Sequence, residues 1–395
     1  MIYDLVIVGG GAGGLFAGVM AGKKGLKTLI IERENKLGKK LSATGNGRCN
    51  IANTNFCFNC DLPYYNNNKF VIDVFKSLGL NKVNDFLELL KNEFGILTYA
   101  DSEGRVYPYC NYAPNVVSIL SNLLNEYGVE VMLNSVVGDI DKDKDEFVIF
   151  ADNMVRAKNV LLCCGGSATI LAENLGHNRT NLKKGLAGIK TKQSFKWISG
   201  VRVDNAKISA TLDNIKDALD NNIEIKDNTY TEVGEVIFKD DGISGICVMN
   251  ISSILNRYNH FENLSLDLAT YKTKQELKLE MQKFERDYKN GIINYLYSLF
   301  PYKLAKYLYE TYKTPDEIAK NIKHFKLKFA DFYSNNQVTI GGIELEEVNL
   351  TQSKICENLY LSGEMLNIDG LCGGYNLMFA ITSALVSVKE ILFKI

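Results

Sequence analysis

The sequence predicts an α/β fold in which one parallel sheet is assembled from both ends of the chain, with an antiparallel β domain and a helical domain inserted between them. Three observations predict it. Residues 1–32 read as strand, glycine turn, helix and strand; residues 188–252 break into short alternating runs with polar turns; near residue 335 the chain returns to core strands before a long apolar helix. The domain boundaries that follow are 1–187, 188–252, 253–334 and 335–395. At 395 residues the chain is long for a single core, which fits several domains.

Tyr3 to Val8 is an apolar run that stops at Gly9-Gly10-Gly11-Ala12-Gly13-Gly14. A helix-compatible segment follows to about Gly25, and a second apolar run, Thr28 to Ile31, ends on Glu32 and Arg33. That spacing is the unit that holds the ADP half of a dinucleotide. Gly9 lets the backbone turn out of the strand, Gly11 lets the main chain approach a pyrophosphate, and Gly14 lets the helix pack closely on the strand. The helix start presents free N–H groups and a positive dipole end to the phosphates. Glu32 is placed to accept hydrogen bonds from a ribose diol and disfavours a 2′-phosphate, which selects FAD or NAD over NADP. The nucleotide-binding candidates here are Gly9, Gly11, Ala12, Gly13, Gly14, Glu32 and Arg33.

Lys36 to Asn50 contains Gly38, Gly45 and Gly47 with Ser42, Thr44, Asn46 and Asn50, and reads as an ordered loop, not a helix. A loop leaving the second strand passes near the phosphates and ring of a bound dinucleotide. Its N–H groups, Arg48 and Asn50 are therefore cofactor candidates, against the competing reading of a solvated basic turn.

Lys39-Lys40-Leu41 through Gly45-Asn46-Gly47-Arg48-Cys49-Asn50 resembles the "RKLLISGGGRCN" loop of a bacterial FAD-dependent flavoprotein family, variously labelled aminoacetone oxidases or NAD(P)/FAD-dependent oxidoreductases. Three later strings resemble the same family and follow its order: Glu103-Gly104-Arg105-Val106-Tyr107-Pro108; Gly234-Glu235-Val236-Ile237-Phe238 with Gly242-Ile243-Ser244-Gly245; and Gly363-Glu364 with Asp369-Gly370 and Gly373-Gly374-Tyr375-Asn376. The resemblance implies a Rossmann-like, glutathione-reductase-like domain carrying FAD. It adds Lys40, Leu41, Thr44, Gly45, Asn46, Arg48, Cys49, Asn50, Gly363, Glu364, Asp369, Gly373, Gly374, Tyr375 and Asn376 to the cofactor candidates.

Between these strings, Phe70 to Phe94 carries apolar residues at helical spacing and reads as core. Cys57-Phe58-Asn59-Cys60 has no second CxxC and no nearby His to complete a metal site, so free thiols and no metal are expected. Ala113 to Tyr127 reads as a helix, Val129 to Leu133 as a strand, with short strands near Phe147 to Phe150 and Val155. Asn159 to Cys164 reads as a buried parallel strand whose end, Cys164-Gly165-Gly166, returns beside the cofactor. Cys163-Cys164 stands where the family usually has Ala-Thr; neighbours on a strand point to opposite faces, so no working disulfide is expected. Only Ala168 to Asn174 remains of a longer family segment with a "STGDGY" string before Leu175-Gly176-His177. His177 reads either as an acid–base group or as an imidazole suited to a helix C-terminus.

Gly200 to Val203, Ala206 to Leu212, Ile223 to Ile225 and Glu235 to Phe238 read as antiparallel strands. Ser252 to Phe332 reads as helical and solvated, with capping boxes at Thr273/Glu276 and Thr314/Glu317. Lacking a glycine phosphate loop, this middle region is expected to cover substrate. Gln337 to Ile340 and Asn358 to Leu361 return to core strands. Gly363-Glu364 falls where two-dinucleotide flavoproteins place Gly-Asp on the ribityl chain. Gly370 to Asn376 opens the last helix, Leu377 to Phe393, whose N–H groups would face flavin N1 and the C2 oxygen and favour the reduced ring.

The activity implied is FAD-dependent hydride transfer between a small organic substrate and flavin N5. Either an amine such as aminoacetone is oxidised with electrons passed to O2, or NAD(P)H drives a reduction. Tyr375 and Arg48 are the side chains expected to face substrate. A pyridine nucleotide–disulfide reductase would need a second dinucleotide fingerprint and a redox cysteine pair, and neither is found. A flavin-binding or sensing protein without turnover is the alternative of another class. With 45 basic and 46 acidic residues spread along the chain, nothing suggests a nucleic-acid or polybasic membrane face. Nine cysteines without a signal peptide suggest a reducing, cytoplasmic setting, and Leu377 to Val388 is too short and interrupted to span a bilayer.

Overall fold

The structure is a computed structural model that describes residues 2–58, 63–65, 67–212, 228–258 and 260–394. They divide into two compact units, Met1–Leu182 with Thr339–Ile395, and Lys183–Val338.

The first unit opens with β1 (Ile2–Val8), α1 (Ala12–Lys23) and β2 (Thr28–Ile31), the strands parallel from Leu5↔Thr28 to Val8↔Ile31. Leu5, Val6 and Ile7 are all fully buried, as a parallel strand covered on both faces requires. The stretch expected to be loop winds into α2 (Lys39–Ala43) and a 3-10 turn, Thr44–Gly47. The glycines that argued against a helix stand at its ends. Gly38 (φ 65°) precedes it and Gly45 (φ 57°) with Asn46 (φ 56°) stops it after five residues.

Next come β3 (Ala52–Asn53), α3 (Asn68–Ser77), α4 (Val83–Phe94), β4 (Thr98–Ala100) and β5 (Arg105–Pro108), the strands forming a small antiparallel sheet. Val71, Val74 and Phe75 of α3 and Phe86, Leu90 and Phe94 of α4 are buried, one apolar stripe on each helix. Cys57 is disulfide-bonded instead of free, and Cys60 lies outside the described residues. Then follow α5 (Ala113–Glu126), β6 (Glu130–Met132), the hairpin β7 (Asp139–Asp143) and β8 (Glu146–Phe150), β9 (Met154–Leu162) and α6 (Ile170–Glu173).

The second unit contains β10 (Lys183–Gly185), β11 (Ile189–Thr191), β12 (Arg202–Leu212), β13 (Thr229–Lys239), β14 (Gly242–Ser244), α7 (Ile246–Tyr258) and β15 (Phe261–Asp267). It continues through α8 (Lys274–Asp287), α9 (Gly291–Leu299), α10 (Tyr302–Thr311), α11 (Pro315–Lys323), β16 (Phe325–Lys326) and β17 (Phe329–Phe332). Its antiparallel sheet runs β16-β15-β12-β13-β14-β11-β17. Phe261–Asp267, expected to be helical, is a strand. Leu264-Ser265-Leu266-Asp267 alternates apolar and polar, and that short period-two signal was hidden in a Lys- and Glu-rich stretch. Both capping boxes are present, with Thr273 Oγ1 accepting from Glu276 N and Thr314 Oγ1 from Glu317 N. Ile223 to Ile225 lies outside the described residues.

The chain then adds β18 (Val338–Ile340), β19 (Val348–Asn349), β20 (Gln352–Ser353), β21 (Leu359–Leu361) and α12 (Tyr375–Lys394). In the first unit the parallel core runs β21-β9-β1-β2-β6, so a strand from the chain's end lies two places from its first strand. α12 packs against α1 at Gly13, where a Cβ would lie 3.1 Å from Ala380 O. At 20 residues α12 is long and apolar enough to cross a membrane, beyond the shorter run read from the sequence, but most of it is buried as a core helix of this unit.

Candidate active site

Parallel strands place their carboxyl ends on one edge, and ligands of open α/β sheets bind in the crevice outside that edge. Here the edge carries Gly9–Gly14 after β1, Glu32 after β2, Cys163–Gly166 after β9 and Ser362–Glu364 after β21. Backbone bonds knit the four ends: Gly9 N donates to Ile31 O (2.8 Å), Cys163 N to Val8 O (2.8 Å) and Ser362 N to Leu162 O (3.1 Å). Gly9 has φ 103°, and a Cβ there would lie 2.8 Å from Cys163 O. A Cβ at Gly14 would lie 1.9 Å from Gly9 O, so helix and strand end approach as only glycine allows. At Gly11 a Cβ would meet nothing within 4 Å. The open side of the turn is at Gly11, which fits a main chain approached by a pyrophosphate.

Glu32 is fixed by the turn that it faces. Its Oε2 accepts from Gly10 N at 2.6 Å and its Oε1 from Glu34 N at 2.9 Å, while Gly38 N donates to Gly10 O at 2.8 Å. A carboxylate oxygen has more than one lone pair, so acceptor capacity for a diol remains. Arg33 is exposed, 3.6 Å from Glu34. Across the crevice, Lys40 Nζ lies 3.0 Å from both carboxylate oxygens of Glu364. Gly165 (φ 75°) faces Glu364, and Gly363 N donates to Ser383 Oγ at 3.0 Å.

A second cluster in the same unit joins the Thr44–Asn50 loop to the start of α12. Thr44 O accepts from Cys49 N at 3.0 Å, and Thr44 Oγ1 donates to Leu41 O at 2.7 Å. With its amide turned to donate, Asn50 reaches Ala52 O at 3.1 Å and Val106 O at 3.3 Å. Asn53 Nδ2 donates to Gly373 O at 3.0 Å, and a Cβ at Gly374 (φ 102°) would lie 2.4 Å from Ala52 O. Asn376 closes its own loop, accepting from Gly370 N at 2.8 Å and donating to Gly370 O at 2.9 Å. Asp369 is buried just before it. Tyr375, expected to face substrate, is buried, its ring 6.4 Å from that of Tyr64, and burial pushes its hydroxyl up to about 12. Arg48 is exposed and lies over Tyr107, its guanidinium carbon 4.4 Å from the ring centroid.

Three residues of this cluster carried no assignment from the sequence: Asn53, Tyr64, whose hydroxyl donates to Tyr375 O at 2.8 Å, and Tyr107. Tyr107 lay inside a string that resembled the family, which was the available signal. Asn53 and Tyr64 act through backbone carbonyls distant in sequence, and no periodicity marks such a partner.

Cys49, Cys163 and Cys164 do not form a reactive pair. Burial pushes Cys49, Cys163 and Cys164 each up to about 12; Cys163 Sγ lies 3.0 Å from Ser362 Oγ, and Cys164 Sγ lies 3.7 Å from Met365 Sδ. A disulfide reductase needs an accessible low-pKa thiolate, and these three lack that character. His177 is buried, with Nδ1 3.0 Å from Glu347 Oε2 and Nε2 2.8 Å from Ser353 Oγ. Ser353 Oγ already accepts from Ile355 N and Cys356 N, so this Ser–His–Glu arrangement is a capped turn without an exposed nucleophile.

Fold and crevice together define an FAD-dependent oxidoreductase of the Rossmann class, with FAD as cofactor. The chain belongs to the family described as HI0933-like protein Rossmann domain, which it matches over residues 3–390. It is 29% identical to a 3-dehydro-bile acid delta(4,6)-reductase of Clostridium scindens over 95% of each chain. It is 25% identical to a ribosomal RNA dihydrouridine synthase of Haemophilus influenzae over 96% of each. Among solved structures it resembles 3-ketosteroid delta1-dehydrogenase from Sterolibacterium denitrificans, with a TM-score of 0.52, 12% identity and 100% of both chains covered.

Proposed function

We propose that this protein is a flavin-dependent reductase that saturates an activated carbon–carbon double bond of a small molecule, with NAD(P)H as electron source. The observation that carries the reading is the convergence of Gly9–Gly14, Glu32, Gly165 and Glu364 on one sheet edge, beside the Arg48 loop and the start of α12. The name of the 29% identical relative, a delta(4,6)-reductase, supports reduction as the direction. The name of the dihydrouridine synthase, 25% identical, supports saturation of a ring double bond. Amine oxidation with electrons passed to O2, as in an aminoacetone oxidase, is supported by the loop resemblance alone.

In this reading Gly9, Gly11, Ala12, Gly13 and Gly14 hold the pyrophosphate and Glu32 the adenosine ribose, with Arg33 at its rim. Lys40, Glu364 and Gly363 would hold the ribityl chain, and Cys164, Gly165 and Gly166 would meet the cofactor at the end of β9. Leu41, Thr44, Gly45, Asn46, Cys49 and Asn50 wall the ring, and Asp369 with Asn376 shapes the turn from which Gly373 and Gly374 present backbone donors. Bound FAD supplies hydride transfer at N5. The α12 start contributes N–H groups and a positive dipole end, which stabilise negative charge. Tyr375, buried with its proton retained, serves as wall, while Arg48 is the side chain free to meet substrate.

Anaerobic mixing of the purified protein with NADH or NADPH, followed near 450 nm where flavins typically absorb, tests the reading. The expected result is rapid bleaching by one nicotinamide, with colour restored by a conjugated 3-oxo steroid acid. Bleaching by aminoacetone with recovery in air, and none by NAD(P)H, would replace it with the oxidase.

A further inference from the structure

Arg48 is an unusual arginine. It is exposed, its Nη2 donates to Tyr107 Oη at 3.2 Å, and among the described residues it has no carboxylate partner. Its guanidinium carbon lies over the Tyr107 ring, 4.4 Å from the centroid. Stacking of this kind fixes a planar fork without consuming its other N–H groups, and a guanidinium carries five donors. One donor is spent here.

The surroundings hold that orientation. Tyr107 is 2% exposed and sits on β5 directly opposite Tyr99 of β4, the rings 6.1 Å apart. Tyr99 is tied through its hydroxyl to Asn111 Oδ1 at 2.9 Å, and its ring lies 5.6 Å from that of Tyr109, which is 68% exposed. Behind the arginine, Gly47 (φ 81°) and Cys49 (φ 63°) both have left-handed backbones, and Cys49 is fully buried. A buried non-glycine residue in that region is over-determined by its surroundings, so residue 48 is presented at a fixed place. The whole arrangement is a cation on a tyrosine ladder that ends in an exposed ring.

We infer that Arg48 is the anchor for a carboxylate on the substrate, that Tyr107 is the residue positioning it, and that the ladder favours a planar, ring-bearing acid. This deepens the reading of the site as one for a small-molecule substrate and rests on it. The physical reason is complementarity: a fixed, planar, unpaired fork matches the two oxygens of a carboxylate in a bidentate pair. A phosphate of a dinucleotide offers the same oxyanion chemistry, so the two sources are separated by experiment.

The test is calorimetric titration of the FAD-loaded protein with benzoate, its neutral isostere benzamide, and inorganic phosphate. Benzoate is expected to bind about tenfold tighter than benzamide or phosphate, the size of effect typical of a charge-assisted pair. Arg48→Met should bring the benzoate-to-benzamide ratio close to one. Tyr107→Leu should do the same with Arg48 still present, while Tyr107→Phe, which keeps the stack, should retain most of the preference. A purely structural Tyr107 would weaken both ligands alike and leave the ratio unchanged. A ratio near one in the wild type, a ratio that survives Arg48→Met, or phosphate binding tighter than benzoate would each overturn the inference. Arg48 is exposed, so its variant keeps the test decisive should Tyr107→Leu fail to fold. Flavin content, read from colour, fails separately: a colourless protein overturns the cofactor assignment, whereas the heat ratio judges the anchor.

Discussion

Lys40 and Glu364 form a two-pronged ion pair, one ammonium 3.0 Å from each carboxylate oxygen, joining the segment after β2 to the turn after β21. The lysine side chain is 62% exposed and the glutamate 18%, so the pair contributes little to folding; exposed pairs are worth roughly 0–1 kcal/mol. Its consequence lies in the crevice. With Glu364 proposed beside the ribityl chain, Lys40→Met is expected to change the melting temperature by no more than a few degrees. It should nevertheless speed FAD release several-fold, followed by the return of flavin fluorescence on dilution. An unchanged release rate would place the pair outside the cofactor's path.

Two glycines of one turn separate packing from binding. At Gly14 a Cβ would strike Gly9 O at 1.9 Å, a backbone contact that cannot yield, so Gly14→Ala should destabilise by about 2 kcal/mol or more and lower expression. At Gly11 φ is −78° and a Cβ meets nothing, so Gly11→Ala should leave apoprotein stability within about 0.5 kcal/mol. Its methyl would instead occupy the pyrophosphate's approach. FAD affinity is expected to fall about tenfold or more, measured by equilibrium titration. Full affinity in Gly11→Ala would remove the pyrophosphate from this turn.

The contrast shows what was legible in the sequence. Gly9 to Glu32 could be read because each residue acts on neighbours close in sequence, so spacing alone fixes geometry. The strand Leu359–Leu361 was legible as buried, but its seat beside β9 depends on pairing across about two hundred residues, which local pattern does not encode. The same limit hid Asn53, Tyr64 and Tyr107, whose partners are a carbonyl at 373, a carbonyl at 375 and a guanidinium at 48. Tyr375 was expected to face substrate, and its burial against Tyr64, whose ring packs in turn on Phe379, was not legible because Tyr64 lies some three hundred residues away in sequence. β15 was lost for a different reason: charge-rich composition outweighed a short alternation.

His177 sets a pH limit on the fold. Burial lowers its pKa below the ordinary 6.5, against the opposing pull of Glu347. The unfolded chain therefore binds this proton at a higher pH than the folded one, and stability is lost as pH falls from about 6.5 through the folded value. Asn178 and His177 hold Glu347 low despite its burial, which extends the loss further into acid. Urea unfolding between pH 7.5 and 5 should show the decline. His177→Gln should be less stable at neutral pH by roughly 1–3 kcal/mol, through the unmatched partners, yet flatter across that window. An equally steep slope in the variant would assign the proton elsewhere.

Glu390, near the end of α12, has the opposite sign. Burial pushes its carboxyl up to about 7, although Thr351 Oγ1 donates to it at 3.2 Å and Lys394 lies nearby. Tyr360, fully buried and without a hydrogen-bond partner for its hydroxyl, faces the same group and offers no charge to offset. An acid whose folded pKa lies above its unfolded value of 4.5 binds its proton more tightly when folded, so it costs stability progressively as pH rises from 4.5 through 7. Replacing it with an uncharged isostere should remove that cost. Glu390→Gln is expected to be close to wild type at pH 5 and more stable at pH 8, by about 1 kcal/mol once partial solvent screening is allowed for. Thermal unfolding at the two pH values reads the difference directly. A gain of equal size at both would mean that the substitution acts through packing of α12, with the carboxyl's charge playing no part.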